Sequence, residues 1–584
     1  MYSYTWDLEN VFPDFNSLKK EFDLIENMIN IFRKYDFFSS LNKENIILYF
    51  SSHELIERKI RKIYIFCSLC CDIDFNNIKY SNMKVKINNL YISFNNIAEL
   101  HRRKFLSFAY KKIVKFTHDN NLNYDFEIEK IFDYKNEDLK KIKDKQVCRK
   151  NMSNAKNEYK KITNKLIFEP VLMNNEENPL TESNYSAYLD NYNKDVRKQA
   201  FVNYFNTIYK NRDNLYDVFK KYVISYSNLT KIDEYDSSLK KYCANNNFSY
   251  KLYNKIIDII NNNLSLLTNF FKIKKQILGI NDFSYYDIFA PLKYCDNHSY
   301  EEGVVMISNS LSILGDEYSR ILKKIFLDNW IDVYPKSNKR SGYYSVNSYD
   351  LKPYIFINFE GKYKDITILS HEIGHAIHSY FSNNCQPYQL SSTQNSLEIS
   401  SLVNELLLGD YLITNAKNEY EKLSHINNLL SVYLICFYRY GMLAEFERDV
   451  HDFADKSECM GIDYISEYYY TLNKKYLGNL VSIDNFLKNE WLNIPHFYND
   501  FYCYKYVIGI SCATKIVDKL LKGDELYRKK YIDFLKAGCS NCINDLLKEI
   551  DVNINDSTLY LGTINKISEL ILQLKKHQNL KKYN

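Results

Sequence analysis

The stretch HEIGHAIH, residues 371–378, holds three of the chain's eleven histidines, with a glutamate directly after the first. On a helix, residues four apart share a face one turn along. His371 and His375 can therefore turn two imidazole nitrogens toward one Zn2+, while Glu372 projects about 100° round, beside the ion's open position. His378 stands seven residues from His371, about 10.5 Å along the axis, too far to join the other two on one ion. It reads as packing or support. Gly374 sits where glycine costs a helix about 1 kcal/mol against alanine, which implies that something approaches the backbone closely there. A motif with a third histidine ten residues after the first is absent, because that position is Phe381.

The third ligand must come from elsewhere. No Asp or Glu lies between Glu372 and Glu398. The following stretch, SLEISSLVNELLLGDYLI (396–413), has apolar residues at helical spacing and puts Glu398 and Glu405 seven apart on one face. Two helices, one carrying HExxH and one carrying Glu398, make a set of two histidines and a carboxylate with a position left for water. Glu398 is the expected ligand. Glu405 reads equally as a group that orients a ligand histidine and as a solvated helix glutamate. Zinc held this way lowers the pKa of its water to about 7, and Glu372 is placed to take that proton and pass it to a leaving amine. Peptide hydrolysis also needs donors for an oxyanion. The segment WLNIPHFYNDFYCYKYVIGISCATKIV (491–517) offers His496, Tyr498, Tyr502, Tyr504 and Tyr506, but in a chain of 54 tyrosines none stands out by itself.

Working outward, the rest of the chain reads as helical. It has 584 residues but only 14 Gly and 8 Pro, too few for an all-β protein with many tight turns. The segment FNSLKKEFDLIENMINIFRKY spaces Phe15, Leu18, Phe22, Ile25, Met28 and Ile29 on one helical face. A break around Pro179 suggests a boundary between an N-terminal helical lobe (1–185) and a larger domain (186–584). Before the histidine helix, RSGYYSVNSYDLKPYIFINFEGKYKD shows near-alternating β-formers, with Tyr354, Phe356 and Asn358 on one side and Ile355, Ile357 and Phe359 on the other, which predicts a small hairpin or sheet.

The net charge of +5 leaves no footprint of a nucleic-acid or membrane partner. The N-terminal MYSYTWDLENVFPDF lacks the basic start and apolar run of a secretory signal, and no run of 18 apolar residues appears. Thirteen scattered cysteines fit reduced thiols in a cytoplasmic protein. Cys67, Cys70 and Cys71 lie in an apolar run and read as packing. Cys539 and Cys542 have CxxC spacing without a second pair, so they too read as structural.

The run PYIFINFEGKYKDITILSHEIGHAIHSYFSNNCQPY resembles the zinc-motif region of oligoendopeptidase F, of the thimet oligopeptidase-like metallopeptidases. TWDLENVF (5–12), FSYYDIFAPL (283–292), EISSLVNELLL (398–408), YGMLAEFERDV (440–450) and IPHFYNDFYCYKYVIGI (494–510) resemble the same family, in the same order. The resemblance implies a mostly α fold: a two-lobed helical ellipsoid with a deep substrate channel and a small β-sheet beside the HExxH helix. It implies one zinc on His371, His375 and Glu398, and Glu372 as base. His496 matches the family's histidine near the oxyanion, with Tyr506 as first and Tyr502 as second match for the tyrosine that completes it. The strand PYIFINF would lie along a peptide substrate, with Gly361 at its turn.

The reading is thus a zinc endopeptidase of short peptides. A dipeptidyl carboxypeptidase on the same fold and a non-catalytic peptide-binding homologue are the alternatives. Monomer or homo-oligomer is left open.

Overall fold

The computed structural model describes residues 4–576 apart from 109, 120–123, 125–127, 129–138, 247, 293–296, 391–397 and 458–459. Helices make up 72% of the chain and strands 4%, the mostly α architecture that the scarcity of Gly and Pro implies.

One compact unit takes residues 1–139, 320–360 and 376–392; a second takes 140–319, 361–375 and 393–584. This differs from a single cut at 185/186. The pattern break around Pro179 follows a two-stranded antiparallel hairpin, Val171–Met173 with Glu176–Asn178, that lies inside the second unit. A local turn breaks helical periodicity as effectively as a domain boundary does.

In the first unit, helices Phe15–Lys34, Lys43–Ile73 and Ile78–Leu106 pack around an apolar core. Asp14 starts the first of them, its carboxylate accepting the Ser17 N–H at 2.7 Å as an N-cap. Of the expected apolar face, Leu18, Ile25 and Ile29 are buried and Phe15, Phe22 and Met28 pack against them. The same unit holds a three-stranded sheet. Its central strand, Leu351–Phe356, runs parallel to Ile331–Asp332 and antiparallel to Tyr344–Ser348. Trp6, from TWDLENVF, donates its indole N–H to the Trp330 and Ile355 carbonyls, each at 3.0 Å, and so ties the N-terminal segment to this sheet.

The small sheet that the alternation predicts is present. Tyr354, Ile355, Phe356 and Ile357 are all buried, so the alternation in sequence marks a strand covered on both faces. Residues 355 and 356 are also paired on both edges, so a peptide cannot add to PYIFINF at those positions.

The second unit carries the histidine motif. Helix Tyr363–Cys385 begins in it, and residues from Ala376 onward belong to the first unit. Helix Ile399–Thr414 packs on helices Tyr300–Leu311, Glu419–Tyr433 and Tyr504–Leu520. Among the described residues one helix, Glu419–Asp455, is long and apolar enough by length and composition to cross a membrane, and 72% of its most apolar window is buried inside the protein. It contains a π-helical stretch, Leu434–Arg439.

Candidate metal centre

The ligand atoms of His371, His375 and Glu398 all lie within 4.8 Å of one another. The two Nε2 atoms are 3.1 Å apart, and Glu398 Oε2 is 2.9 Å from His375 Nε2 and 3.5 Å from His371 Nε2. Helical spacing accounts for the two histidines. What brings Glu398 to them is Gly374: a Cβ there would sit 2.6 Å from Ser401 Cα and 2.7 Å from Ser400 O. The bare glycine lets the start of helix Ile399–Thr414 lie directly against the histidine helix, the close approach that its helix-breaking character implied.

Glu398 is not part of the helical face it was expected to share with Glu405. It is the residue before the helix, in a left-handed conformation at φ 58°. Such a conformation is uncommon for a residue with a Cβ, and strain of this kind clusters at functional sites. Ser401 supports it, its hydroxyl donating to the Glu398 carbonyl at 2.8 Å.

Glu405, which the sequence left open, sits 2.5 Å from His371 Nδ1. A carboxylate here accepts the Nδ1–H, which would leave the Nε2 lone pair facing inward in a neutral ring. Asn404 beside it joins the two helices, donating to the Ser370 carbonyl at 3.1 Å and accepting from Tyr318 at 2.9 Å. Nothing in the sequence singled out Asn404.

The electrostatics follow from this crowding. Burial pushes the His371 imidazolium down, but Glu398 and Glu405 more than offset it and hold it well above its ordinary value. Burial pushes the Glu398 carboxyl up, and its bonds to both histidines override this to hold it well below the carboxylate range. Both directions describe a centre that demands positive charge. Two nitrogens and one carboxylate oxygen, converging with lone pairs inward, fit a divalent cation of the zinc type. Glu372 is buried, and burial raises its carboxyl against the pull of the two histidines. His378 is buried and stands outside this set.

The aromatic block divides into two groups. Tyr502 donates to Glu398 Oε1 at 2.8 Å. His496 lies 5.8 Å from both Tyr502 and Tyr506, centroid to centroid. Tyr498 and Tyr504 are buried elsewhere, against Tyr159 and Phe248 respectively. The reversal between them uses two successive left-handed residues, Asp500 (φ 36°) and Phe501 (φ 52°). Tyr222 bonds Asp500 at 2.5 Å, and the buried Glu447 accepts the Phe501 N–H at 2.7 Å. Both supports come from distant helices, and helical periodicity gives no sign of them. His496 is half-buried, and burial pushes its pKa down against the pull of the Glu398 charge.

These features define a helical protein with a metallopeptidase site. Residues 187–565 match the model of Peptidase family M3, well over half of the chain. The chain belongs to that family and is a metalloendopeptidase. It is 30% identical to oligoendopeptidase F, chromosomal, of Lactococcus lactis subsp. cremoris, over 97% of this chain and 95% of that one. It is 28% identical to oligopeptidase PepF of Bacillus subtilis, covering 98% and 88%. The crystal structure of oligoendopeptidase-F from Enterococcus faecium superposes with a TM-score of 0.74 at 20% identity, covering 97% of this chain and 100% of that one, which speaks to fold.

Proposed function

We propose that the chain is a zinc-dependent endopeptidase that hydrolyses internal bonds of short peptides in a reducing, cytoplasmic setting. The observation that carries the reading is the convergence of His371 Nε2, His375 Nε2 and Glu398 Oε2, with Glu372 buried beside them. These three residues would hold the metal. When bound, zinc supplies Lewis acidity that polarises a carbonyl and acidifies water.

The protein's own groups do the rest. Glu372, raised by burial, accepts a proton from the attacking water and delivers it to the leaving nitrogen. Glu405 holds the His371 ring with its Nε2 inward. His496, with Tyr506 and Tyr502, donates hydrogen bonds to the oxygen that gains charge. The eleven cysteines among the described residues are all free thiols, which suits a reducing compartment.

Metal analysis tests the centre: about one zinc per chain is expected, lost in His375→Ala. Zinc retained by that variant refutes the ligand set. A quenched peptide of about ten residues tests the reaction, with Glu372→Gln expected to lose cleavage by at least about 100-fold, the lower end of general-base contributions. Cleavage that persists when the peptide's C-terminus is capped separates an endopeptidase from a carboxypeptidase.

A further inference from the structure

The helix Glu419–Asp455 changes phase once, through the π-helical stretch Leu434–Arg439. A π turn holds about one residue more than an α turn, so side chains beyond it are rotated by about 100° from where a continuous α-helix would put them. Such turns occur often at functional sites. Two residues stand where this one ends. Arg439 is anchored, with Nη2 2.6 Å from Glu490 and 2.9 Å from the Tyr469 hydroxyl. Tyr440 opens the resumed α-helix.

Tyr440 meets both His496 and Tyr506. Its ring stacks on Tyr506, with centroids 4.0 Å apart and planes 17° apart. It stands edge-on to His496 at 5.3 Å and 70°. Its hydroxyl lies 3.4 Å from His496 Nε2.

We infer that Tyr440 is a positioning residue, which holds the His496 imidazole and the Tyr506 ring in the mutual arrangement that serves a substrate carbonyl. The inference rests on the proposed role of those two groups as donors. A neutral imidazole has one donor and one acceptor nitrogen, and a ring flip exchanges them. A hydroxyl engaged with Nε2 biases both flip and tautomer, and so decides which N–H is left for substrate. The stacked ring does the same for the Tyr506 plane. Without the phase change in the helix, the Tyr440 side chain would be turned by about 100° from its present direction.

The zinc-loaded enzyme tests this with Tyr440→Phe, His496→Ala and the double variant, assayed on a quenched peptide. Tyr440→Phe keeps the stacking ring and removes the hydroxyl. It should lower kcat by about 10-fold, within the range that misplacing a catalytic group costs, and leave KM within about twofold. Zinc content should not change, and the unfolding midpoint should stay within about 2 °C, as fits removal of one half-buried hydroxyl. In the His496→Ala background the same substitution should change kcat by less than about twofold, because its effect passes through the missing ring. Tyr440→Leu, which also loses the stacking, should fall further than Tyr440→Phe.

If His496→Ala is impaired while Tyr440→Phe keeps wild-type kcat, the positioning role is wrong and the proposed function stands. If His496→Ala itself keeps wild-type kcat, the donor role of His496 is wrong and this inference falls with it. Equal losses from Tyr440→Phe in both backgrounds, or loss of zinc, would also overturn it.

Discussion

Gly374 and Ser401 lie so close that a Cβ on the glycine would stand 2.6 Å from the Ser401 Cα, with backbone on the far side that cannot swing away as a side chain would. Alanine would gain about 1 kcal/mol of helix propensity. Forcing an extra methyl into a packed interface costs about 1–3 kcal/mol, and here the obstacle is main chain. Gly374→Ala should therefore lower the unfolding midpoint and reduce zinc affinity more sharply than global stability, because the displaced segment carries Glu398. Calorimetry and zinc titration of the same sample check this. A variant at least as stable as wild type with full zinc affinity would show that the close approach has no role.

The contact of Glu405 with His371 Nδ1 gives a second expectation. A partner that fixes the orientation and tautomer of a ligand histidine is worth about 10- to 100-fold in metal affinity. Glu405→Ala should lose that much in competition with a chelator. Glu405→Gln should lose less, since an amide oxygen can still accept the Nδ1–H. Identical losses in both would mean that charge, not orientation, is what Glu405 contributes.

How much of this could be read beforehand depended on how local each cause was. HEIGH was legible because the spacing of His371 and His375 is a property of one helix. Glu398 was legible by elimination, since no acid lies between it and Glu372. Its backbone was not: the left-handed residue precedes a helix start that lies against Gly374 in another segment. The burial of both faces of Leu351–Phe356 was hidden for the same reason. The two units were illegible because the chain leaves the first at 139 and returns to it at 320 and 376. Tyr440 was one tyrosine among 54, and the π-helical stretch that aims it leaves no periodic signal.

Lys274 carries a pH dependence outside the site. It is buried, its ammonium donates to the Ile288 carbonyl at 2.7 Å, and burial pushes its pKa down to about 7. Asp190 and Asp287 pull it up and Arg197 pulls it down, less strongly than burial acts. The unfolded lysine keeps its proton to about pH 10.4, so between about 7 and 10.4 the unfolded state binds more protons than the folded one. Stability attributable to this residue therefore rises with pH across that window, and its cost is fully present below about 7. Lys274→Met removes the dependence but leaves the Ile288 carbonyl unbonded, so the offset between the proteins is less informative than its slope. In denaturant unfolding at pH 6.5, 8 and 9.5, the stability of the variant relative to wild type should fall steadily as pH rises. A constant difference would mean that Lys274 stays charged in the fold.

Tyr502 and Tyr506 can be separated by what else each touches. The Tyr502 hydroxyl donates to Glu398 Oε1, a proposed ligand, whereas the Tyr506 ring stacks on Tyr440. Removing the Tyr502 hydroxyl leaves a carboxylate oxygen without its partner, so Tyr502→Phe should weaken zinc binding severalfold as well as slow turnover, in the manner of an outer-shell loss. Tyr506→Phe should leave zinc affinity unchanged and lower kcat by about 100-fold, the lower end of what one oxyanion donor is worth. Zinc titration beside single-turnover cleavage distinguishes the two effects. If Tyr502→Phe keeps its zinc and shows the larger fall in turnover, the order is reversed. Tyr502 would then release Glu398 to serve the substrate, and Tyr506 would be part of the frame that Tyr440 supports.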